Sequence, residues 1–264
     1  MPDATGQGVL LWLAYDGTDF SGMAVQANAR TVAGELTGAI RAMDPRASAL
    51  RNVSRTDRGV HALCQVVSFD TLKDISSRGW VLGLTGHLPE TIAVLRAAKA
   101  GFGFDPRGYV EHKTYRYRIF QSPVRDPFLD RTAWRIDQRL NHELMQAETE
   151  CLLGTHDFAA FRGAQDQRCE TTRTIHQAEW KRDLSDPRIL WFEITGSGFL
   201  YHMVRIIVGT LLDVGRGRTN PGAVKTALAS FQRNDLGMTA PPQGLFLTHV
   251  ELTDRGHDAW PSVD

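Results

Sequence analysis

The chain has 264 residues, of which 42% are hydrophobic, with 30 basic and 30 acidic side chains. This composition is typical of a globular protein of one large domain or two modest ones. No apolar run approaches the roughly 18 residues that span a bilayer, so we expect no transmembrane helix. The N-terminal MPDATGQG lacks the basic and apolar regions of a signal peptide, so we expect no signal peptide. Three scattered cysteines with no CxxC pair argue against a disulfide framework and a zinc site and favour a cytoplasmic location.

The first half of the chain has the order strand, helix, strand, strand, helix, strand. The strands are short apolar segments bounded by turn-forming residues, and in the first helix apolar side chains recur at helical spacing. The predicted strands are residues 9–15, a short segment before Ser54, 65–70 and 91–100, and the predicted helices are 31–43 and 76–87.

The second half adds strands and helices of similar size. A nearly all-apolar stretch from Phe199 to Gly215 predicts a long, central, buried helix. A short helix over 220–230 should have Asn220 as its N-cap and Pro221 at its first position. The remaining predicted elements are strands at 113–121, 173–182, 188–196 and 244–252 and a helix at 141–153.

These elements predict an α+β protein with two halves, each an antiparallel sheet covered by helices on one face. Gly, Pro and charged residues cluster near 103–112, where we expect the boundary. We therefore predict an N-terminal domain over residues 1–106 and a C-terminal domain over 107–264.

The stretch SRTDRGVHA places Asp57 between two arginines on a turn that contains a glycine. Two interpretations are open from these letters. Asp57 either shapes a turn or caps a helix, or it is a reactive carboxylate that nearby cations hold ready.

Several further stretches accompany this one, in a fixed order over roughly residues 9 to 252. They are YDGTDFSG, RTVAGEL, SRTDRGVHALCQVVSF, LPETI, KTYRYRI, GTHDFAAF, SGFLYHMVRIIVGTLLDVGRG and GLFLTHVEL. Together they resemble the tRNA pseudouridine synthases of the TruA family. The resemblance implies two α+β domains facing a cleft, a homodimer, a tRNA substrate, and no metal or cofactor. It also implies isomerisation of uridine to pseudouridine at positions 38, 39 and 40 of the anticodon stem-loop.

This reaction breaks a glycosidic C–N bond and makes a C–C bond without any redox change. One carboxylate can stabilise positive charge at the ribose or act as a nucleophile. The resemblance gives that role to Asp57. Attack on the sugar, attack on the base and removal of a ribose proton all remain open.

Two further catalytic residues are predicted. Arg205 lies in an otherwise apolar helix, where an unpaired charge is costly, so it should be paired. The resemblance makes Arg205 face Asp57, and a structural ion pair elsewhere is the alternative. The resemblance also makes Tyr115 the active-site tyrosine, although Tyr117 points to the same face of its strand and either could be an ordinary core residue.

Four residues are predicted to bind substrate. The resemblance has Arg55 fill the gap that a flipped-out uridine leaves, with an ordinary phosphate contact as the alternative. Arg58 adds a cation beside Asp57, and Arg107 keeps the arginine of a family pattern, Phe-His-Ala-Arg. Leu245 matches a position beside the target base, and core packing explains it nearly as well.

Some positions depart from the family pattern, namely Met23 and Ala24 directly after YDGTDFSG, Arg58 after the aspartate, and Asp105 where the family has His. They favour considering a paralogue with a shifted RNA target or a non-catalytic tRNA-binding protein. A hydrolase is disfavoured because only one carboxylate lies in the motif. We expect His61 to be a structural hydrogen-bonding residue, and no histidines have metal-ligand spacing.

Overall fold

The computed structural model describes residues 6–262, which form a mixed α+β fold. Two compact units are distinguishable: one runs to Glu111 and resumes at Leu247, and the other is His112–Phe246. The α+β class is thereby confirmed, whereas the domain limits 1–106 and 107–264 and the cleft stay predictions. No helix in the described part of the chain is long and apolar enough to cross a membrane.

The described residues contain eleven strands and five α-helices. The strands are β1 (Gln7–Tyr15), β2 (Arg51–Asn52), β3 (His61–Thr71), β4 (Ile92–Ala100), β5 (Val110–Gln121), β6 (Trp134–Ile136), β7 (Gly154–Asp157), β8 (Thr172–Arg182), β9 (Ile189–Gly196), β10 (Leu245–Leu252) and β11 (His257–Trp260). The helices are α1 (Val32–Met43), α2 (Ser77–Thr85), α3 (His142–Glu150), α4 (Met203–Gly215) and α5 (Ala223–Ser230).

In the first unit, β1 lies between β3 and β4 and is antiparallel to both. The short strand β2 pairs with β3, and the short strand β11 pairs with β4. The helix α1 buries Val32, Leu36 and Ile40, the apolar positions that predicted it. Thr31 caps its N-terminus by accepting a hydrogen bond from the Gly34 N–H at 3.1 Å.

In the second unit, β9 pairs with β5 and β8, and β7 pairs with β8, all antiparallel. The strand β6 runs parallel beside β5. The sequence did not predict β6, β7 or β11, because three or four residues are too few to show an alternating pattern.

The helix α4 begins at Met203, four residues later than predicted. His202 has φ of 62°, in the left-handed region, and this conformation ends any right-handed helix that would enter from Phe199. The expectation of a central, buried helix is confirmed, because twelve of the thirteen residues of α4 are buried and Arg205 is the exception.

The predicted start of α5 is wrong. Its N-cap is Gly222 rather than Asn220, and α5 begins at Ala223. The reason is a capping group from elsewhere: the buried carboxylate of Glu148 on α3 accepts hydrogen bonds from the N–H groups of Gly222 and Val224, the latter at 2.8 Å. A carboxylate at a helix N-terminus satisfies donors that a local side chain would otherwise take.

Replacing this capping carboxylate should destabilise the protein. We expect Glu148→Gln to lower the free energy of unfolding by about 1–3 kcal/mol, because the amide brings a donor against two N–H groups. Chemical denaturation measures the loss. Glu150→Gln on the same helix, at an exposed position, serves as the control and should change stability by less than about 0.5 kcal/mol. Equal stability of the two variants would contradict the capping role.

Candidate active site

Asp57 lies on the loop that connects β2 to β3. Along this loop the side chains alternate: Thr56 is buried, Asp57 is half-buried, and Arg55 and Arg58 are exposed. The loop therefore directs a hydroxyl into the protein and two guanidiniums toward solvent, with the carboxylate between them.

A buried hydrogen-bond network holds this loop from inside. The hydroxyls of Tyr15 and Thr56 are 2.7 Å apart. The Gln65 amide donates to the Ser54 carbonyl at 2.8 Å and accepts from the Ser54 N–H at 3.2 Å. The same amide donates to the Tyr15 hydroxyl at 3.4 Å, and burial raises the pKa of Tyr15 to about 12, which keeps its phenol neutral. Because an unsatisfied buried polar group is costly, each bond fixes the loop more firmly.

The segment after β1 holds the same loop through its backbone. The Met23 N–H donates to the Thr56 carbonyl at 3.0 Å, and the Gly59 N–H donates to the Phe20 carbonyl at 3.3 Å. Gly22 has φ of 103°, and a Cβ there would lie 2.8 Å from the Thr56 carbonyl oxygen. Only glycine fits this close approach. The segment that carries DGTDFSG and the loop that carries SRTDRGVHA therefore pack backbone to backbone.

The side chain of Met23 is fully buried. This departure from the family pattern therefore lies in the core of the first unit.

His61 starts β3 and is buried beneath the loop. Its Nδ1 accepts a hydrogen bond from the Gly17 N–H at 3.1 Å and lies 3.2 Å from the Asp16 carboxylate. A ring nitrogen that accepts from a backbone N–H holds chain segments together, in agreement with the structural role expected for His61.

Arg107 forms a salt bridge with Asp105. Its Nε lies 2.9 Å from the carboxylate, and its backbone N–H also donates to Asp105 at 3.1 Å. These hydrogen bonds hold the pKa of Asp105 below its usual range. Asp105 stands where the family has His, and the nearby Arg107 neutralises its negative charge.

Tyr115 and Tyr117 lie on the buried face of β5, with Arg116 and Arg118 on the other face, as the alternation predicted. The Tyr115 ring packs edge-on against Phe199, with ring centres 5.1 Å apart. The Tyr117 hydroxyl donates to the Pro241 carbonyl at 2.7 Å. Burial raises the pKa of Tyr117 well above its ordinary value, against the opposing effect of the positive charge on Arg205. The Tyr117 hydroxyl is thus engaged within the second unit, and the catalytic role of Tyr115 stays a prediction.

Arg205 is the one residue of α4 that is not buried, and its direction is fixed. Its Nε donates to the Ala240 carbonyl at 2.8 Å, and the Ala240 N–H donates to the Arg205 carbonyl at 3.0 Å. Residues 237–241 lie close against α4. A Cβ added to Gly209 would be only 1.8 Å from the Met238 carbonyl oxygen, so only glycine permits this approach.

Leu245 follows the same segment and begins β10. Leu245 is 5% exposed. The preceding Gly244 lies against the Tyr117 ring, because a Cβ added to Gly244 would be 2.6 Å from a ring carbon of Tyr117. One continuous segment therefore links Arg205, Tyr117 and Leu245 within the second unit.

The predicted site residues fall into two groups. Asp57, Arg55, Arg58 and Arg107 belong to the first unit, and Tyr115, Arg205 and Leu245 belong to the second. Within each unit the residues are held as described, whereas the roles of all seven and the pairing of Asp57 with Arg205 stay predictions.

The sequence analysis missed the supporting residues Tyr15 and Gln65. A signal for Tyr15 was available, because a tyrosine that ends a buried strand needs a partner for its hydroxyl.

Comparison with known proteins identifies the family. A family model described as tRNA pseudouridine synthase matches residues 149–252. A tRNA pseudouridine synthase A of Bacillus subtilis is 40% identical over 240 residues, covering 90% of this chain and 96% of its own. That of Geotalea uraniireducens is 39% identical over 242 residues, covering 92% and 98%.

A solved structure of a Cbf5–Nop10–Gar1 complex also matches, over 90% of this chain and 48% of that chain. Its TM-score of 0.36 and identity of 10% are too low to support an argument. The relatives, in contrast, match along nearly their whole length, and they confirm the resemblance drawn from the motifs. The chain belongs to the tRNA pseudouridine synthase A family.

Proposed function

We propose that this chain isomerises uridine to pseudouridine in tRNA, with Asp57 as the catalytic carboxylate. Membership of the family makes the chain an isomerase that acts on tRNA. The observation that carries the assignment to Asp57 is its position: it is half-buried on a loop fixed from inside by hydrogen bonds and flanked by two exposed arginines.

The reaction exchanges one bond to the ribose for another. The bond from C1′ to N1 of the uracil breaks, the base turns, and C1′ bonds to C5. The hydrogen on C5 is lost as a proton and N1 gains one, so the product has the same atoms as the substrate. Attack on the sugar, attack on the base and removal of a ribose proton each require Asp57 to be ionised.

Arg205 is the residue that we propose to keep Asp57 ionised. A carboxylate that bound RNA shields from water tends to take up a proton, and a nearby cation opposes this. The hydrogen bond from Nε to the Ala240 carbonyl supports the role, because it orients the guanidinium without neutralising its charge.

Tyr115 is proposed to stack on the uracil and to take part in proton transfer through its hydroxyl. Its edge-on contact with Phe199 fixes the ring plane on which a base could stack. The neighbouring Tyr117 serves as an internal comparison, because it lies on the same face of β5 and its hydroxyl donates to the Pro241 carbonyl.

The substrate-binding roles follow from exposure and charge. Arg55 would fill the gap that the flipped uridine leaves, and Arg58 and Arg107 would contact phosphates. Arg107 would do so with its charge partly neutralised by Asp105. Leu245 would pack beside the target base.

We extend the proposal to positions 38, 39 and 40 of the anticodon stem-loop, to a homodimer with a cleft between two domains, and to a cytoplasmic location. The motif resemblance supports these points, and the composition supports the last.

Removing the carboxylate should abolish turnover and spare binding. We expect Asp57→Asn to lower the rate of pseudouridine formation by at least about a hundredfold. Its affinity for tRNA should stay within about twofold of wild type, because many phosphate contacts share the binding energy. Carbodiimide modification followed by primer extension maps the product in tRNA, and filter binding measures affinity.

Asp74→Asn provides the control, because Asp74 is an almost fully exposed aspartate of the same unit. It should retain wild-type turnover. Turnover by the Asp57→Asn protein at the rate of this control would remove Asp57 as the catalyst.

The two tyrosines of β5 should respond differently to loss of the hydroxyl. Tyr115→Phe keeps the stacking ring, so we expect nearly normal tRNA affinity with a large fall in the rate at saturating tRNA. Tyr117→Phe should keep the rate and lose about 0.5–1.5 kcal/mol of unfolding free energy, because its bond to Pro241 disappears. Single-turnover kinetics and denaturation measure both variants, and a slow Tyr117 variant beside a fast Tyr115 variant would reverse the assignment.

A further inference from the structure

A cavity of about 680 Å³ lies in the second unit, among residues that have no role in the proposed reaction. Its walls come from the loop at 159–166, the start of α4 at 201–206 and the segment 231–239. Pockets of this volume hold small organic ligands, including nucleotides.

Two arginines line this cavity and have only neutral partners. Arg162 donates to the Arg168 carbonyl at 2.9 Å, and Arg233 donates to the Leu236 carbonyl at 3.2 Å and the Thr239 hydroxyl at 3.4 Å. Within residues 6–262, neither guanidinium is within salt-bridge distance of a carboxylate. Arg233 is half-buried, and this burial lowers the pKa of its guanidinium. Two such cations favour an anionic ligand.

The carboxylate that lines the cavity does not oppose an anion. Asp166 accepts hydrogen bonds from Arg168 through Nε at 2.9 Å and through a terminal nitrogen at 2.6 Å. It also accepts from the Tyr201 N–H at 2.9 Å. The bonds from Arg168 hold the pKa of Asp166 far below its usual range, and the three guanidiniums near the cavity outweigh this single charge.

Aromatic rings form another part of the wall. Tyr201 and His202 stack with ring centres 3.7 Å apart, and Phe231 is 50% exposed. Of the three non-glycine residues with positive φ in the described chain, His202 and Phe231 line this cavity. Phe231 ends α5 in the left-handed conformation, which glycine most often adopts at helix C-termini. A large exposed phenylalanine at this position is therefore unfavourable, both for the backbone conformation and because its ring stays in water. A surface for stacking explains its presence.

We propose that this cavity binds an unpaired nucleotide of the RNA substrate other than the target uridine. Its phosphate would lie at Arg162 and Arg233, and its base would stack on Phe231, with the amides of Gln165 and Gln232 able to contact the base edge. This combination of an anion with an aromatic plane is the chemistry of a nucleotide. The inference rests on the proposed function, because that function supplies the RNA.

The variant Phe231→Gly separates a binding role from a structural one. Glycine suits the left-handed conformation, so the melting temperature should stay the same or rise. Loss of the stacked ring should weaken tRNA binding about 5- to 150-fold, measured by fluorescence anisotropy at fixed salt. The rate of pseudouridine formation at saturating tRNA should stay within about twofold of wild type.

The control is Phe128→Gly, which removes a still more exposed phenylalanine of the same unit. It should leave tRNA affinity within about twofold of wild type. Equal affinities of the Phe231 and Phe128 variants would overturn the proposal.

Arg233→Gln tests the phosphate contact. The slope of log affinity against log salt concentration should fall by about 0.7 to 1, as expected for the loss of one phosphate contact. Arg125→Gln, at an exposed arginine of the same unit, should leave the slope unchanged. A slope unaffected by Arg233→Gln would contradict the assignment.

A free nucleotide has the same chemistry, so adenosine and uridine 5′-monophosphates are titrated in parallel. If Phe231→Gly weakens their binding while tRNA affinity stays at the wild-type value, the assignment to RNA is wrong. These binding measurements do not require turnover. Failure of the proposed function would instead appear as wild-type protein that binds tRNA and forms no pseudouridine.

Discussion

The candidate active site depends on a buried hydrogen bond between the hydroxyls of Tyr15 and Thr56, 2.7 Å apart. Tyr15 ends a central strand of the first unit, and Thr56 immediately precedes Asp57. The bond therefore ties the loop directly to the sheet. Gln65, on the neighbouring strand β3, joins the same network through Ser54. A loop held by several coupled bonds has fewer conformations than one held by sequence-local turns, and a carboxylate on it is more precisely placed.

The second unit holds its functional candidates by a different means. There the segment 237–241 lies against α4 at a distance that only Gly209 permits, and it exchanges backbone and side-chain hydrogen bonds with Arg205. The Pro241 carbonyl of this segment also accepts a hydrogen bond from the Tyr117 hydroxyl. The carboxylate of Asp57 belongs to the first unit, and the guanidinium of Arg205 and the phenol of Tyr115 belong to the second. The proposed mechanism combines the two.

Much of the fold could be predicted from the sequence, because local pattern decides it. The apolar spacing of α1 and the alternation of β5 are examples. Contacts between distant residues decided what was missed: Glu148 on α3 caps α5 and overrides Asn220, and His202 delays the start of α4. The motif letters also predict roles for Asp57, Tyr115 and Arg205, and those roles stay predictions. The end of a buried strand indicated that the Tyr15 hydroxyl needs a partner, but the sequence could not identify Thr56 and Gln65 as the partners, which lie 41 and 50 positions away.

The most direct test of this account is a double-mutant cycle on Tyr15→Phe and Thr56→Val. The measured quantity is the single-turnover rate of pseudouridine formation at saturating tRNA, with unfolding free energy measured alongside. If the network positions Asp57, each variant slows the reaction, and the two effects are coupled by about 0.5–3 kcal/mol. If both variants lose stability and yet react at the wild-type rate, the network supports the fold alone and does not position the catalytic carboxylate.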